Sequence, residues 1–305
     1  MKSFRSLFFA LLAVALCATG CQESPYINGP GNNDNNQISR IIPPDPDALP
    51  DPEGVVIPDG CLNVYQAYDS CMALQSGEVS QKRYFIKGWV CQITDKTTSE
   101  TISQYGNAFF YLGATMDASY SKTFYAYQCM GKLGAKLTDI SQVAIGDFVI
   151  MSAFLTNYNG IAETSGANFI YSSTNETFNT NFTDFESFPL PTADTILTVS
   201  QAELIIKTLD NKATTLDVKQ ICGVVCSVDE AANSRYGNAT FRITDGKTFL
   251  IAYRCKGLKG ASFTNANQVA VGDVVIVEGN LQNYNGTAEL NSGGKIISST
   301  NPNLQ

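Results

Sequence analysis

Between residues 61 and 300 the apolar residues follow two spacings. Val64, Ala67, Cys71 and Leu74 recur at the helical interval, as do Val199, Ala202, Leu204, Ile205, Ile206 and Leu209. Each set marks one face of a helix led by serine or asparagine. Further along the period falls to two. Ala108, Phe110 and Leu112 take one side of a strand, leaving Phe109 and Tyr111 on the other. Ala239, Phe241 and Ile243 repeat the inward set, with Thr240 and Arg242 outward. β-Rich runs, "RYFIKGWVCQI" and "KQICGVVCSV", precede these strands, and a third strand closes each series at Cys129 or Cys255. A glycine-rich crossover with a short helix follows. Gly146-Asp147 and Gly272-Asp273 then turn into a fourth strand, and Asn159-Gly160 and Asn285-Gly286 carry the primed-turn signal of a hairpin into a fifth.

The two series are copies of each other. "LNVYQAYDSCMAL" from Leu62 matches "LTVSQAELIIKTL" from Leu197, and "YGNAFFYL" from Tyr105 matches "YGNATFRI" from Tyr236. "SQVAIGD" answers "NQVAVGD", "NYNG" occurs twice, and "YSST" answers "ISST". Two copies of about a hundred residues mean tandem modules, 61–175 and 196–305, joined by an acidic linker at 176–195, rather than a solenoid. One helix followed by five short strands, with a crossover after the third, is the pattern of an OB barrel. The fold expected is therefore mainly β, two tandem OB-like five-stranded barrels each preceded by a helix. The same stretches resemble the OB-fold modules repeated in many Bacteroidota lipoproteins, the second copy more closely than the first. That resemblance implies an exported envelope protein. OB folds as a class bind single-stranded nucleic acid, oligosaccharide or protein.

The N-terminus points the same way. Lys2 and Arg5 precede an apolar stretch, Leu7 to Leu16, too short to span a bilayer. Ala18-Thr19-Gly20-Cys21 resembles a bacterial lipobox, which implies a signal peptide over 1–20, lipidation of Cys21 and anchoring at the outer membrane, on its periplasmic or its cell-surface side. Residues 22–60 hold eight of the 11 prolines with asparagine and acidic runs, and read as a disordered spacer. In polyproline geometry its 39 residues would reach roughly 100 Å.

Composition removes several chemistries. The chain has no histidine, which excludes Ser-His-Asp and Cys-His hydrolases, HExxH proteases and histidine-containing zinc sites. No phosphate-binding glycine loop is present, and no cofactor or metal is expected. The acidic surplus, a net charge of −8, sits in the spacer and linker. The first module has seven basic against eight acidic residues and the second ten against nine. Within the second, Arg235, Arg242, Lys247, Arg254, Lys256 and Lys259 face a single acid, Asp245. Outward aromatics Phe109 and Tyr111 in one module and cations Arg235, Arg242, Arg254 and Lys256 in the other are the candidate ligand contacts. Aromatic platforms also suit sugars, and hairpin cations also serve simply as solvated edge charges. Of the cysteines, Cys91 aligns with Cys226 and Cys129 with Cys255. They are read either as one disulfide per module or as buried thiols acting as small hydrophobes. Glu163 and Glu289 recur after the hairpin, and Asp147 and Asp273 read as turn residues. The function expected is non-enzymatic binding of an extended ligand, a glycan or a protein segment. Single-stranded nucleic-acid binding through the basic hairpin and a purely architectural or docking role are the alternatives.

Overall fold

The computed structural model describes residues 50–304, apart from 118–121, 182–184, 186 and 234. The expected signal peptide, the expected lipidation site Cys21 and the expected spacer up to residue 49 lie outside the described residues. The chain is mainly β. Its first part runs β1 (Leu62–Asn63), α1 (Val64–Met72), β2 (Tyr84–Ile93), α2 (Ser99–Tyr105), β3 (Asn107–Gly113), β4 (Phe124–Met130), β5 (Phe148–Tyr158), β6 (Ile161–Ser173) and α3 (Glu176–Asn181). Strands β2, β3, β4, β6 and β5 pair in that order, and β5 returns to β2 from Tyr84↔Ala153 to Trp89↔Phe148, closing a five-stranded barrel. The β4–β6 pair is parallel, through Tyr125↔Glu163 and Met130↔Phe169.

The second part runs β7 (Ile196–Thr198), α4 (Val199–Lys207), β8 (Lys219–Asn233), β9 (Asn238–Thr244), β10 (Phe249–Leu258), β11 (Val274–Gly279), β12 (Leu281–Tyr284), β13 (Thr287–Leu290) and β14 (Lys295–Ser299). Strand β9 pairs with β8 and β10, β14 lies between β10 and β11, and β11 pairs with β8. The long β5 and β6 of the first sheet correspond here to two shorter strands each, broken at Asn280 and at 291–294. Asn280 spends its side-chain amide on the carbonyl of Thr215 instead of continuing a ladder.

Both helices start on a capping box, Asn63 with Gln66 and Thr198 with Gln201, which satisfies first-turn amides that would otherwise lack partners. The second cap is a threonine rather than the serine or asparagine expected. Ser200 lies inside the helix and its amide donates to Asp245. Val64, Ala67 and Cys71, and Val199, Ala202 and Ile206, are buried as the spacing requires. Leu204 is not. It is 46% exposed, and its neighbour Glu203 is buried instead, for a reason that lies in the other half of the chain.

Ala108, Phe110 and Leu112 are fully buried in one core, and Ala239, Phe241 and Ile243 in a second, separate one. The turn chemistry is realised. Asn159-Gly160 and Asn285-Gly286 all adopt positive φ, the primed geometry whose twist matches the strands. Asp147 caps the amide of Ala144 and binds Asn175, and Asp273 repeats both contacts with Ala270 and Asn301.

A third cluster joins the two parts. Leu133 and Phe169 of the first meet Phe249 of the second, with Cys226 and Ile251 packed beside them. Gly134 has φ +76°, and any Cβ there would strike the Phe249 ring at 2.3 Å. Arg83, just before β2, forms a buried ion pair with Glu203 of α4. Its other donors reach the carbonyls of Ser152 and Ala167, and its guanidinium stacks over Phe154 at 4.9 Å. Glu203 also accepts from the Thr248 hydroxyl, and Lys207 donates to the carbonyl of Ser80. The acidic linker is more than a tether, because Phe178 of α3 is fully buried in the first core and Phe185 packs on the joining cluster. The end of the predicted spacer also engages the fold: Asp51 pairs with Lys87 at 2.8 Å.

Removing one partner of a buried pair leaves the other charge stranded. Glu203→Ala is therefore expected to lower unfolding free energy in urea by about 3–5 kcal/mol. A loss below about 1 kcal/mol would show that water compensates Arg83.

Candidate functional site

The outer surface of β3 and β4 carries a row of aromatic rings. Side chains alternate across a strand, so the residues between Ala108, Phe110 and Leu112 on β3, and those on either side of Ala126 on β4, project away from the core. They are Phe109 and Tyr111, and Tyr125 and Tyr127. Tyr111 stacks on its cross-strand partner Tyr125, centroids 4.6 Å apart and planes at 23°. Tyr125 meets Tyr127 edge-on at 6.1 Å, and Tyr127 meets Phe109 edge-on at 5.4 Å. Both geometries suit the ring quadrupole.

The row is graded in exposure. Phe109 and Tyr125 are each 7% exposed, Tyr111 is half-buried and Tyr127 is 39% exposed. Phe109 is thus not the open stacking platform expected from its strand position. The segment after β2 folds over it: the Thr97 hydroxyl donates to the Phe109 carbonyl and accepts from its amide, and the Lys96 ammonium lies 5.9 Å above its ring. Tyr127 is fixed from below by β6, whose Thr164 hydroxyl accepts its amide proton and whose Asn168 side chain donates to its carbonyl.

One acid lies in this surface. Glu163 is the in-register partner of Tyr125 on β6, and its neighbour Ala162 points into the core, so its side chain shares the outer side with the rings. It is 9% exposed. Burial raises its carboxyl above the usual carboxylate range, opposed by the nearby Lys96 charge. Burial also raises the Tyr125 phenol, with Tyr111 and Glu163 adding to the shift.

The corresponding surface of the second sheet is spent differently. Register places Arg242 against Ile251 where Tyr111 faces Tyr125, and Ile251 against Glu289 where Tyr125 faces Glu163. Arg242 is 6% exposed, its Nε donates to Asp229 at 2.8 Å, and its guanidinium lies over Phe249. It is a structural cation rather than an open phosphate contact, because β8 supplies an acid that lies outside the basic stretch of sequence. Arg254, Arg235 and Lys256 lie beyond this docked region. Arg254 is exposed, in a positive-φ bulge, with its guanidinium over Tyr253; Gln128 occupies the same bulge in β4. Arg235 is exposed and stacks over Tyr236, while the Lys256 ammonium donates to the Tyr236 carbonyl at 2.6 Å.

All seven described cysteines are free thiols. Neither Cys91 with Cys129 nor Cys226 with Cys255 forms a disulfide, because the two members of each pair lie on opposite sides of their sheet. Cys129 and Cys255 belong to the cores, whereas Cys91 donates to the Tyr111 carbonyl and Cys226 packs on the joining cluster. Burial pushes Cys226 and Cys255 up to about 12 and raises Cys129 well above the usual thiol range, so none of the three is a ready nucleophile. Among the described residues no group of histidine, cysteine and acidic side chains could hold a metal ion.

No model of a known protein family matches the chain, and neither does any curated protein.

Alkylation of the native protein at pH 8 should spare Cys129 and Cys255, and unfolding without reductant should expose both fully. A need for reductant would indicate a disulfide. Arg242→Ala should lower stability by about 1–3 kcal/mol, whereas Arg254→Ala should stay within about 0.5 kcal/mol. Equal effects in thermal melts would refute the division between buried and open arginines.

Proposed function

We propose that this protein is a lipid-anchored envelope protein, tethered through Cys21 at the outer membrane. Its two OB-type barrels pack as one unit, and the first binds an oligosaccharide on the outer surface of β3 and β4. The OB reading of both halves is supported by the neighbour relations that the second sheet shares with the first, and by paired devices at equivalent places. These are the capping boxes of α1 and α4, the positive-φ bulges at Gln128 and Arg254, and the two primed turns. The role proposed is to hold a ligand and not to transform it.

The observation that carries the carbohydrate reading is the ring row with Tyr127 and Tyr111 at its accessible positions beside a carboxylate. Sugar rings present apolar C–H faces that lie on aromatic planes, while their hydroxyls need polar partners at the edge. A polyanion would meet Glu163 on this surface, and the arginine best placed to receive phosphate, Arg242, is already paired. Single-stranded nucleic acid is the second reading. It draws on the cation–aromatic pairs Arg235 with Tyr236 and Arg254 with Tyr253 at the far end of β9 and β10.

A mixed array of oligosaccharides and single-stranded oligonucleotides, read at two salt concentrations, separates the two. The protein should retain oligosaccharide with little salt dependence, and Tyr127→Ala should weaken that retention about tenfold, one stacking contact of roughly 1.4 kcal/mol. Oligonucleotide binding that falls steeply with salt and is lost in Arg254→Ala would favour the second reading instead.

A further inference from the structure

Glu163 is a buried acid without an evident structural task. The residue is the in-register partner of Tyr125 and is 9% exposed; its carboxylate receives no hydrogen bond from the described residues and keeps an opening to solvent. A carboxylate largely covered by neighbours loses part of its hydration, and here no protein donor replaces it. The charged groups around it give only partial relief. Lys96 of the segment after β2 acts on it through space, its ammonium lying over Phe109, while Tyr125 of β4 and Cys71 of α1 would only add negative charge. The other two acids nearest in kind are accounted for, as Asp147 caps a turn and Glu203 meets Arg83.

Its placement gives the acid a use. Tyr125 sits between Tyr111 and Tyr127 in the ring row, so a carboxylate beside Tyr125 lies at the edge of whatever rests on the two accessible rings. An ionised carboxylate only accepts hydrogen bonds and can take several at once. Vicinal hydroxyls of a sugar are donors of matching spacing, and charge-assisted bonds of this kind are roughly twice as strong as neutral ones.

We infer that Glu163 is the hydroxyl-binding group of the aromatic surface and selects neutral, hydroxyl-rich sugars over acidic ones. This rests on the carbohydrate reading of that surface and adds to it the class of sugar. In the second sheet Glu289 keeps the same register but neighbours Ile251, which packs in the joining cluster, so no ring row accompanies it. The inference therefore assigns hydroxyl binding to the first sheet alone.

The test uses the full chain with maltohexaose and cellohexaose as neutral probes and hexagalacturonate as the acidic one, measured by calorimetry. The wild type should bind one neutral hexaose at least tenfold more tightly than hexagalacturonate. Glu163→Gln, which keeps the shape but replaces two acceptors by one acceptor and one donor group, should weaken the neutral hexaose about tenfold and narrow its advantage over the acidic one. Unchanged neutral affinity in a folded Glu163→Gln protein overturns the inference. So does hexagalacturonate bound as tightly as the neutral hexaose by the wild type, a result independent of how the variant folds. If Tyr127→Ala loses binding while Glu163→Gln keeps it, the carbohydrate reading stands and the role of Glu163 falls. If no hexaose binds and the array retains no oligosaccharide, both fall.

Discussion

The packing of the two halves depends on Arg83. Its guanidinium donates to Glu203 in the second half and to the carbonyls of Ser152 and Ala167 in the first, and it covers Phe154. Arginine suits such a place because its planar fork keeps its charge and meets several acceptors without bending. Desolvating the pair is costly, and the cost is met only because almost every donor and acceptor is used. The pair therefore acts more as a register mark than as a glue. It fixes the docking geometry, while the apolar contact of Leu133, Phe169 and Phe249 beside it adds hydrophobic attraction.

That docking explains why two copies of one pattern differ in what they offer. In the second sheet the outward positions of β9 and β10 are Arg242, Phe249 and Ile251, and these build or border the joint. In the first sheet the equivalent positions are Tyr111 and Tyr125, free to form a ring row. One copy gives its outer surface to the assembly; the other keeps that surface as a row of rings. Duplication followed by such a division needs no change of fold, only a handful of outward residues whose loss leaves both cores intact.

Much of this was legible along the chain, and what was not has a common cause. Period-two alternation identified Ala108, Phe110 and Leu112 as core because a strand can turn only one side inward. Asn-Gly at 159–160 and 285–286 announced its turns because few residues tolerate consecutive positive φ. Tyr125 and Tyr127 were also within reach, since "FYAYQC" alternates as clearly as "NAFFYL". The misjudged residues are those whose surroundings come from distant segments. Phe109 points outward as its position says, yet residues 94–97 close over it. Arg242 stands in a basic stretch, yet Asp229 faces it from another strand. Leu204 falls on the expected apolar face yet is exposed, and Glu203 beside it is buried, because a helical period says nothing about an arginine 120 residues earlier. Outward-facing is a local property; exposed is not.

The same distinction bears on how the ring row can work. Two of its four rings, Phe109 and Tyr125, are buried, and they hold the other two. Tyr125 fixes Tyr111 by stacking, Phe109 fixes Tyr127 by its edge, and Thr164 and Asn168 secure the Tyr127 backbone from β6. An aromatic side chain has only two rotatable bonds, so constraining it in advance removes most of the entropy that binding would otherwise cost. Strand β6 thus supplies both the supports under Tyr127 and the carboxylate beside Tyr125. A parallel pairing between β4 and β6 is what brings these together, and it exists because the barrel closes. Barrel closure is therefore a condition of the site as well as of the fold, since an open sheet would leave β4 as an edge, with its rings unsupported and Glu163 solvated.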